Sequence, residues 1–272
     1  MGRIFARRDE SVLKLRDKES KYGTNLKIGI VGLGEGVGTT FVATALAFCI
    51  GAEDKSVSYV ELGSPATRQN LFFDSVAMDR RFANREFFDF YQGAAKGDFL
   101  KRRENREMGI NWCIITPENC RDGLDLSNEE LHRLIGSIED EICIFDIESS
   151  LLRGKDEGIL MQMDIIIGVV DPMPSKMLGA TEIHSRLERT AAKGVPLFYV
   201  VNKNNSSVVR KEVHNYLKTN DLIWVPLLRQ ECFFDDEYNC RFHWNNKEIN
   251  RNMVEPLDMI VKKTCDITKH SH

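Results

Sequence analysis

Short apolar runs recur along the chain from residue 27 onward, and helix-like stretches separate them. Each run is rich in β-branched or aromatic residues. They are KIGIVG (27–32), SVSYVE (56–61), INWCIIT (110–116), EICIFD (141–146), DIIIGVV (164–170), PLFYVVN (196–202) and LIWVPL (222–227). Uninterrupted apolar runs are typical of strands that are buried on both faces, so the pattern predicts a mostly parallel sheet.

The stretches between these runs have the polar starts of helices. Ser127 and Glu130 form a capping box before LHRLIGSI, Ser175 precedes KMLGATEIHSRLERTAAKG, and Ser206 precedes SVVRKEVHNYLK. Strands that alternate with helices connect by right-handed crossovers. The sequence therefore predicts an α/β fold with a doubly wound, mostly parallel sheet, helices on both faces, and ligands at the carboxyl ends of the strands.

The two ends of the chain differ from this central pattern. Residues 1–26 are charged and predict an arm outside the core, either a surface helix or a frayed end, with an amphipathic membrane anchor as the alternative. Residues 27–268 are predicted to form one domain. Within it, the segment 228–245 has no clear periodicity and predicts irregular structure, and a last helix is expected over 246–265.

A glycine-rich loop, GLGEGVGTTF (32–41), follows the first strand and contains no lysine. Such a loop brings backbone N–H groups close to a phosphate, and the helix behind it adds its positive end. In an ordinary phosphate loop, GxxxxGK[ST], a lysine would follow Gly38, but Thr39 stands there; Thr40 keeps the hydroxyl that binds Mg²⁺. A dinucleotide-binding GxGxxG turn and a purely structural turn are the alternatives, and the first of these lacks its third glycine.

The loop resembles the deviant phosphate loop of the ParA/MinD family of ATPases, KGGxGKTT, and further motifs follow in the family's order over most of 27–265. VSYVELGSP resembles the family's second-strand DxD motif, and ICIFDIESS resembles its Walker B strand. MDIIIGVVDPMPSKM resembles the family's segment before a helix, and FYVVNKNN resembles the strand whose terminal Asn reads adenine. The resemblance implies the same α/β P-loop fold and binding of ATP or ADP with Mg²⁺. It assigns nucleotide contacts to Gly34, Glu35, Gly36, Val37, Gly38, Thr39, Thr40, Asp146 and Asn202, and metal contacts to Thr40 and Asp146.

The departures from the family pattern fall on its charged groups. Gly34 replaces the lysine that reaches a partner's phosphates, Thr39 replaces the conventional lysine, and Gly63 replaces the aspartate that positions water. Phosphoryl transfer depends on charge stabilisation and placement, so we expect weak nucleotide binding with little or no hydrolysis. Arg153 or Lys155 could restore a charge, although solvated loop residues are the favoured interpretation.

The base preference and the metal content are predicted from single positions. Asn202 and Lys203 have the spacing of a guanine-reading NKxD motif, but residue 205 is Asn, which favours adenine. Cys232, Cys240 and His243 lack a matching fourth ligand, so zinc is not expected.

Charge and cysteine content narrow the class of protein. The formal net charge is −4, which gives no overall attraction to nucleic acid or anionic membrane. Seven cysteines without CxxC pairs favour reduced thiols in a cytoplasmic protein. No run approaches the about 20 apolar residues that span a bilayer.

An aromatic segment, FFDFY (87–91), lies between basic groups at 80–85 and 101–106. Burial against the core or a partner subunit is the favoured interpretation and DNA contact the alternative, because acidic residues dilute the basic patch. Part of Phe87, Phe88, Phe90 and Tyr91, with Phe72 and Phe73, is predicted to form a homodimer interface that depends little on ATP.

These observations predict a degenerate ParA/MinD-like protein that binds other proteins and acts as a positioning or assembly factor. Members of the TadZ/CpaE group, which have altered phosphate loops and mark sites of pilus assembly, are the most similar in style. The alternatives are an active ATPase that partitions plasmids or chromosomes and a scaffold that binds no nucleotide.

Overall fold

The structure is a computed structural model and describes residues 25–53, 55–64, 86–154, 158–239 and 241–270 of the 272-residue chain. Eight strands form one sheet. They are β1 (Leu26–Gly32), β2 (Val57–Leu62), β3 (Arg106–Glu107), β4 (Ile110–Cys113), β5 (Ile142–Ile147), β6 (Ile165–Val170), β7 (Leu197–Asn204) and β8 (Leu222–Pro226). The first strand begins one residue before the predicted domain boundary, and most of the predicted arm, residues 1–24, lies outside the described residues.

The strands follow the order β3-β4-β2-β5-β1-β6-β7-β8, which places the glycine-rich loop after a central strand. All neighbouring strands are parallel except β3, which is antiparallel to β4. The predicted doubly wound, mostly parallel α/β sheet is confirmed. The short β3 was not predicted, because two charged residues carry no strand pattern.

Helices connect the strands and cover the sheet. They are α1 (Thr39–Gly51), α2 (Phe90–Lys96), α3 (Pro117–Asp122), α4 (Asn128–Ser137), α5 (Ser149–Gly154), α6 (Gly158–Met161), α7 (Pro174–Gly179), α8 (Thr181–Ala192), α9 (Arg210–Leu217), α10 (Gln230–Tyr238) and α11 (Lys247–His270). None of the helices among the described residues has the length and apolar character needed to cross a bilayer.

Each face of the sheet has its own apolar core. On one face α1 and α11 pack over the sheet, and on the other the apolar sides of α2, α4, α8 and α9 do so. Residues 42–50 of α1 are all buried, because the sheet covers the helix on one side and α11 covers it on another. This packing confirms helices on both faces and fixes the start of α1 against the sheet.

A buried carboxylate ties together the amino-terminal ends of several strands. Asp140, just before β5, accepts hydrogen bonds from the hydroxyls of Ser56 and Ser58, from Asn111 Nδ2 at 3.1 Å and from Arg106 Nη2 at 2.5 Å. Burial opposes the charged form of Asp140, but these hydrogen bonds outweigh it and lower its pKa. The carboxylate therefore joins β2, β3, β4 and β5 at one point.

One of the three predicted helix starts is confirmed, and the other two differ from the sequence prediction. The capping box of Ser127 and Glu130 is present at α4, as predicted. The helix expected after Ser206 begins only at Arg210, because Asn205 Oδ1 accepts from Ser207 N and forms a turn first. The helix expected after Ser175 begins at Pro174 and is divided into α7 and α8 at Ala180.

The segment 228–245 was predicted to be irregular, and this prediction is wrong. It contains α10 and a short 3-10 helix, His243–Asn245. Apolar residues lie on both faces of α10, since Cys232 is buried while Phe234 and Tyr238 are 56% and 88% exposed, and this obscures the helical period. The last helix extends past the predicted end at 265 to His270.

The aromatic segment 87–91 belongs largely to the chain's own core. Phe90 and Tyr91 are 1% and 0% exposed, and the Tyr91 hydroxyl donates to Glu61 O at 2.9 Å. Phe87 and Phe88 are half-buried and pack against the two cores. Of this segment, only the half-buried Phe87 and Phe88 thus remain available for the predicted interface. The other residues considered there, Phe72, Phe73, Arg80, Arg81 and Arg85, lie outside the described residues.

Candidate nucleotide site

The glycine-rich loop spans the gap between β1 and α1 at the carboxyl edge of the sheet. Leu33 N donates to Val169 O at 2.9 Å and fixes the loop's start. Gly36 and Gly38 have φ angles of 66° and 89°, which side chains rarely adopt. A Cβ on Gly38 would also lie 2.2 Å from Asn202 Nδ2, so this position needs glycine on both grounds.

The two residues predicted to hold Mg²⁺ lie in contact. Thr40, in the first turn of α1, donates from Oγ1 to Asp146 Oδ2 at 2.6 Å, and the Tyr59 hydroxyl donates to the same oxygen at 2.8 Å. Asp146 is 8% exposed and pairs in the sheet with Ile30, two residues before the loop. Tyr59 was missed, since a tyrosine inside an apolar strand gives no signal of its own.

This pair fits a magnesium site. Mg²⁺ keeps several waters and is bound through one or two protein oxygens together with substrate phosphates. Thr40 would contribute its hydroxyl and Asp146 its carboxylate, directly or through water. The metal, when bound, would neutralise phosphate charge. Of the cysteine and histidine positions considered for zinc, His243 Nδ1 faces Asp236 Oδ2 at 3.4 Å and Cys240 lies outside the described residues. Among the residues that the structure describes, no three metal-ligating side chains cluster.

Asn202, the predicted adenine contact, lies at the end of β7 against the loop. Its Nδ2 donates to Val37 O at 2.9 Å, and its Oδ1 accepts from Lys203 N at 2.9 Å. A carboxamide has two N–H donors, so one remains for a ligand. The side chain fastens the loop and is 6% exposed.

Two lysines from other elements contact the loop where its own sequence has none. Lys203 Nζ donates to Gly36 O at 2.5 Å and pairs with Asp171 Oδ2 at 2.9 Å, and Lys176 Nζ donates to Glu35 O at 3.0 Å. Lys203 has a φ of 60°, which turns it out of the strand ladder. The residues considered from the sequence as replacement charges were Arg153 and Lys155, whose side chains lie outside the described residues.

These lysines were missed because their contacts are distant along the chain. Lys176 lies 141 residues from Glu35, and Lys203 lies 167 residues from Gly36. The only available signal was the Asn-Lys pair that ends an apolar strand. The two ammonium groups bond loop carbonyls, so in this arrangement they hold the loop's backbone in place.

The acidic residues near the carboxyl ends of β2 and β5 make different contacts. Glu61 is 5% exposed and accepts from Ile115 N at 2.8 Å, so it stabilises the sheet. Gly63 has no side chain, and a Cβ there would lie 2.6 Å from Glu148 Oε2. Glu148 is half-buried, and its Oε2 accepts from Ser64 N at 3.2 Å. Glu148 was not among the site residues predicted from the sequence.

An aromatic cluster adjoins the start of α1. Phe41, the residue after Thr40, stacks on Trp244 with ring centroids 5.7 Å apart and meets the edge of Phe233 at 5.4 Å. Trp244 is 7% exposed. The start of the helix behind the loop is therefore packed directly against the segment 230–245.

The same architecture occurs in solved structures of a plasmid partition protein, a ParA family ATPase and a MinD protein. A putative plasmid partition protein from Borrelia burgdorferi B31, bound to AMPPNP, is 16% identical, with a TM-score of 0.63 over 88% of this chain and 99% of its own. A ParA family ATPase from Chlorobium tepidum is 13% identical, with a TM-score of 0.66 over 86% and 99%. MinD from Pyrococcus horikoshii, complexed with Mg-ADP, is 12% identical, with a TM-score of 0.65 over 91% and 99%.

The chain has the ParA/MinD fold. No protein-family model and no curated protein sequence matches it. On this ParA/MinD fold, Thr40 and Asp146 lie together beside the glycine-rich loop, while Gly34 and Thr39 leave the loop without a cation of its own. The candidate site combines the Thr40–Asp146 pair with a glycine-rich loop that contains no lysine or arginine.

Proposed function

We propose that this protein binds ATP or ADP with Mg²⁺ weakly, hydrolyses it little or not at all, and acts as a positioning or assembly factor through contacts with other proteins. The observation that carries the proposal is the 2.6 Å hydrogen bond between Thr40 and Asp146 next to a loop with no lysine. The metal pair and the loop backbone support binding. The missing charge argues against turnover.

The expected low affinity follows from the donors that remain. Backbone N–H groups of the loop and a metal at Thr40 and Asp146 are available to phosphate oxygens. A lost charged hydrogen-bond donor costs about 1.5–3 kcal/mol. Lys176 and Lys203 donate to loop carbonyls, and Lys203 also pairs with Asp171, so in this arrangement they do not replace that donor.

Slow hydrolysis follows from the chemistry of the reaction. Transfer of the γ-phosphoryl group to water needs cations around the phosphate oxygens and a group that orients the water. Gly34 and Thr39 supply no charge. Binding of a nucleotide without hydrolysis is compatible with a protein that acts by adopting a conformation or by contacting other proteins. This is the TadZ/CpaE-like role that the altered loop suggests.

Homodimerisation is part of the proposal. Four large apolar side chains stand exposed just beyond the carboxyl ends of β6, β7 and β8, on the same edge as the loop: Met173 (57%), Leu178 (75%), Val209 (63%) and Leu227 (55%). Exposed apolar groups clustered on one edge are typical of association surfaces. Because Gly34 offers no charge to a partner's nucleotide, we expect the dimer to depend little on ATP.

Calorimetry with Mg-ATP and Mg-ADP tests the nucleotide part of the proposal. We expect a dissociation constant in the micromolar range or weaker, a further loss of affinity in Thr40→Ala, and no change in the matched surface variant Thr181→Ala. Phosphate release should stay near background. Robust release that disappears in Thr40→Ala would identify an active ATPase, and absence of binding would favour the scaffold.

A further inference from the structure

Glu148 occupies a position next to both the phosphate loop and Gly63. In the sheet Val31 pairs with Ile147, so the next residue, Glu148, lies beside the start of the loop. Glu148 N donates to Leu62 O at 2.8 Å, which continues the pairing of β5 with β2. Glu148 therefore lies between the phosphate loop on one side and the end of β2 on the other.

Because the Glu148 N bond to Leu62 O continues the β5 pairing, strand alternation puts Glu148 on the same face as Asp146. Alternate residues of a strand point to the same side, and Asp146 on that side reaches Thr40 at the start of α1. Glu148 is one such step further toward the carboxyl edge, where a nucleotide binds in open α/β sheets. It is half-buried, whereas Glu61 and Asp146 are 5% and 8% exposed.

The Glu148 carboxylate fills the space that a side chain on residue 63 would need. A Cβ on Gly63 would lie 2.6 Å from Glu148 Oε2 and 3.4 Å from Glu148 Cβ. The N–H of Ser64 donates to the same Oε2 at 3.2 Å and orients it. A carboxylate is thus present at the end of β2 although β2 does not supply it.

We propose that Glu148 is the water-positioning carboxylate of this nucleotide site, and this rests on the proposed binding of ATP. It accepts a hydrogen bond from a water whose oxygen forms the new bond to the γ-phosphorus. The bond from that phosphorus to the bridging oxygen breaks, ADP leaves with the electron pair, and the water's proton passes through Glu148 to solvent. The defect of the native site is then the missing positive charge, and water positioning is retained.

A variant that restores a positive charge to the loop tests whether Glu148 positions water. Thr39→Lys places an ammonium beside the phosphates, so we expect it to bind Mg-ATP at least tenfold more tightly than the native protein and to release phosphate above the native rate. Adding Glu148→Gln keeps an oxygen that accepts from Ser64 N. We expect the double variant to retain the tighter binding and to lose phosphate release at least tenfold.

Glu182→Gln in the Thr39→Lys background is the matched control, because Glu182 is an exposed residue of α8 paired with Arg186. It should leave both binding and phosphate release unchanged. Equal release by Thr39→Lys with and without Glu148→Gln would overturn the assignment, as would tight binding by Thr39→Lys without any release. Absence of nucleotide binding in both the native protein and Thr39→Lys would refute the proposed function itself, and the assignment with it.

Discussion

Two asparagines at and after the end of β7, Asn202 and Asn205, are the candidates for holding and selecting the purine of the proposed nucleotide. Asn202 has one N–H left after its bond to Val37 O. A purine N7 accepts a hydrogen bond in adenine and in guanine alike, so a contact from this N–H would not distinguish them. Selection must therefore come from a residue that faces the edge where the two bases differ.

Asn205 is the candidate for that selection. It is exposed two residues beyond Lys203, with Oδ1 accepting from Ser207 N at 2.9 Å and Nδ2 donating to Lys203 O at 3.2 Å. Each end of a carboxamide has further hydrogen-bonding capacity, and a donor beside an acceptor matches the amino group and ring nitrogen of adenine. A carboxylate, with acceptors alone, matches the two donors of guanine.

We therefore expect Asn205→Asp to shift the ratio of ATP to GTP affinity toward GTP by about tenfold or more, since a bidentate base contact contributes about 1–3 kcal/mol of discrimination. Competition of the two nucleotides against a fluorescent analogue measures the ratio. Asn239→Asp, on the exposed end of α10, is the control. An unchanged ratio would place base selection elsewhere.

At the scale of secondary-structure elements, Asp140 links four strands through hydrogen bonds that require its charged form. Its lowered pKa gives a stability contribution that is complete above the ordinary aspartate value of about 4 and is lost as the pH falls through the lower folded value. The Arg106 side chain is 39% exposed, so solvent weakens that ion pair, and the hydroxyl and amide contacts carry much of the effect.

We expect Asp140→Asn to lower the free energy of unfolding at pH 7 by about 1–3 kcal/mol, because some of the donors that surround the buried carboxylate would lose their hydrogen bonds. As the pH falls below about 4, the ordinary aspartate value, the native protein should lose stability more steeply than the variant. Urea titrations across this range measure both quantities. Glu118→Gln, which removes an exposed carboxylate paired with Arg121, should change neither. Parallel acid curves for Asp140→Asn and the native protein would contradict the assignment.

Some residues and elements of the candidate site could be predicted from the sequence, and others could not. Thr40 and Asp146 were predicted as a pair because a motif fixes one and a strand end fixes the other, and parallel strands bring their ends to one edge. Lys176, Lys203 and Glu148 reach the site through tertiary contacts that no local period encodes. In α10 apolar residues on both faces removed the helical signal altogether.

The carboxyl edge of the sheet carries both the glycine-rich loop and exposed apolar side chains. Leu178 in α7 is 75% exposed, and Lys176 of the same helix bonds Glu35 O in the loop. A second subunit seated on this edge would cover Leu178 and restrict the loop. Contacts made by apolar groups persist without nucleotide, which is the behaviour expected when Gly34 supplies no cross-subunit charge.

Sedimentation velocity with and without Mg-ATP tests this arrangement. We expect a dimer in both conditions, and Leu178→Asp should shift the protein to a monomer. Phe99→Asp is the matched control, because Phe99 is 67% exposed just before β3, away from the carboxyl edge. A native monomer in both conditions, or a dimer seen only with Mg-ATP, would contradict the proposal.

The stacking of Trp244 on Phe41 gives the site an optical signal of its own. Thr40, the proposed metal residue, is bonded directly to Phe41, whose ring lies 5.7 Å from the indole. Of the other two tryptophans, Trp112 stacks on Phe242 and Trp224 lies under Arg210, so neither ring stacks on Phe41 in these pairs. Changing those two to phenylalanine would leave a protein in which indole emission follows the occupancy of the loop, so that nucleotide exchange can be timed in an unlabelled chain.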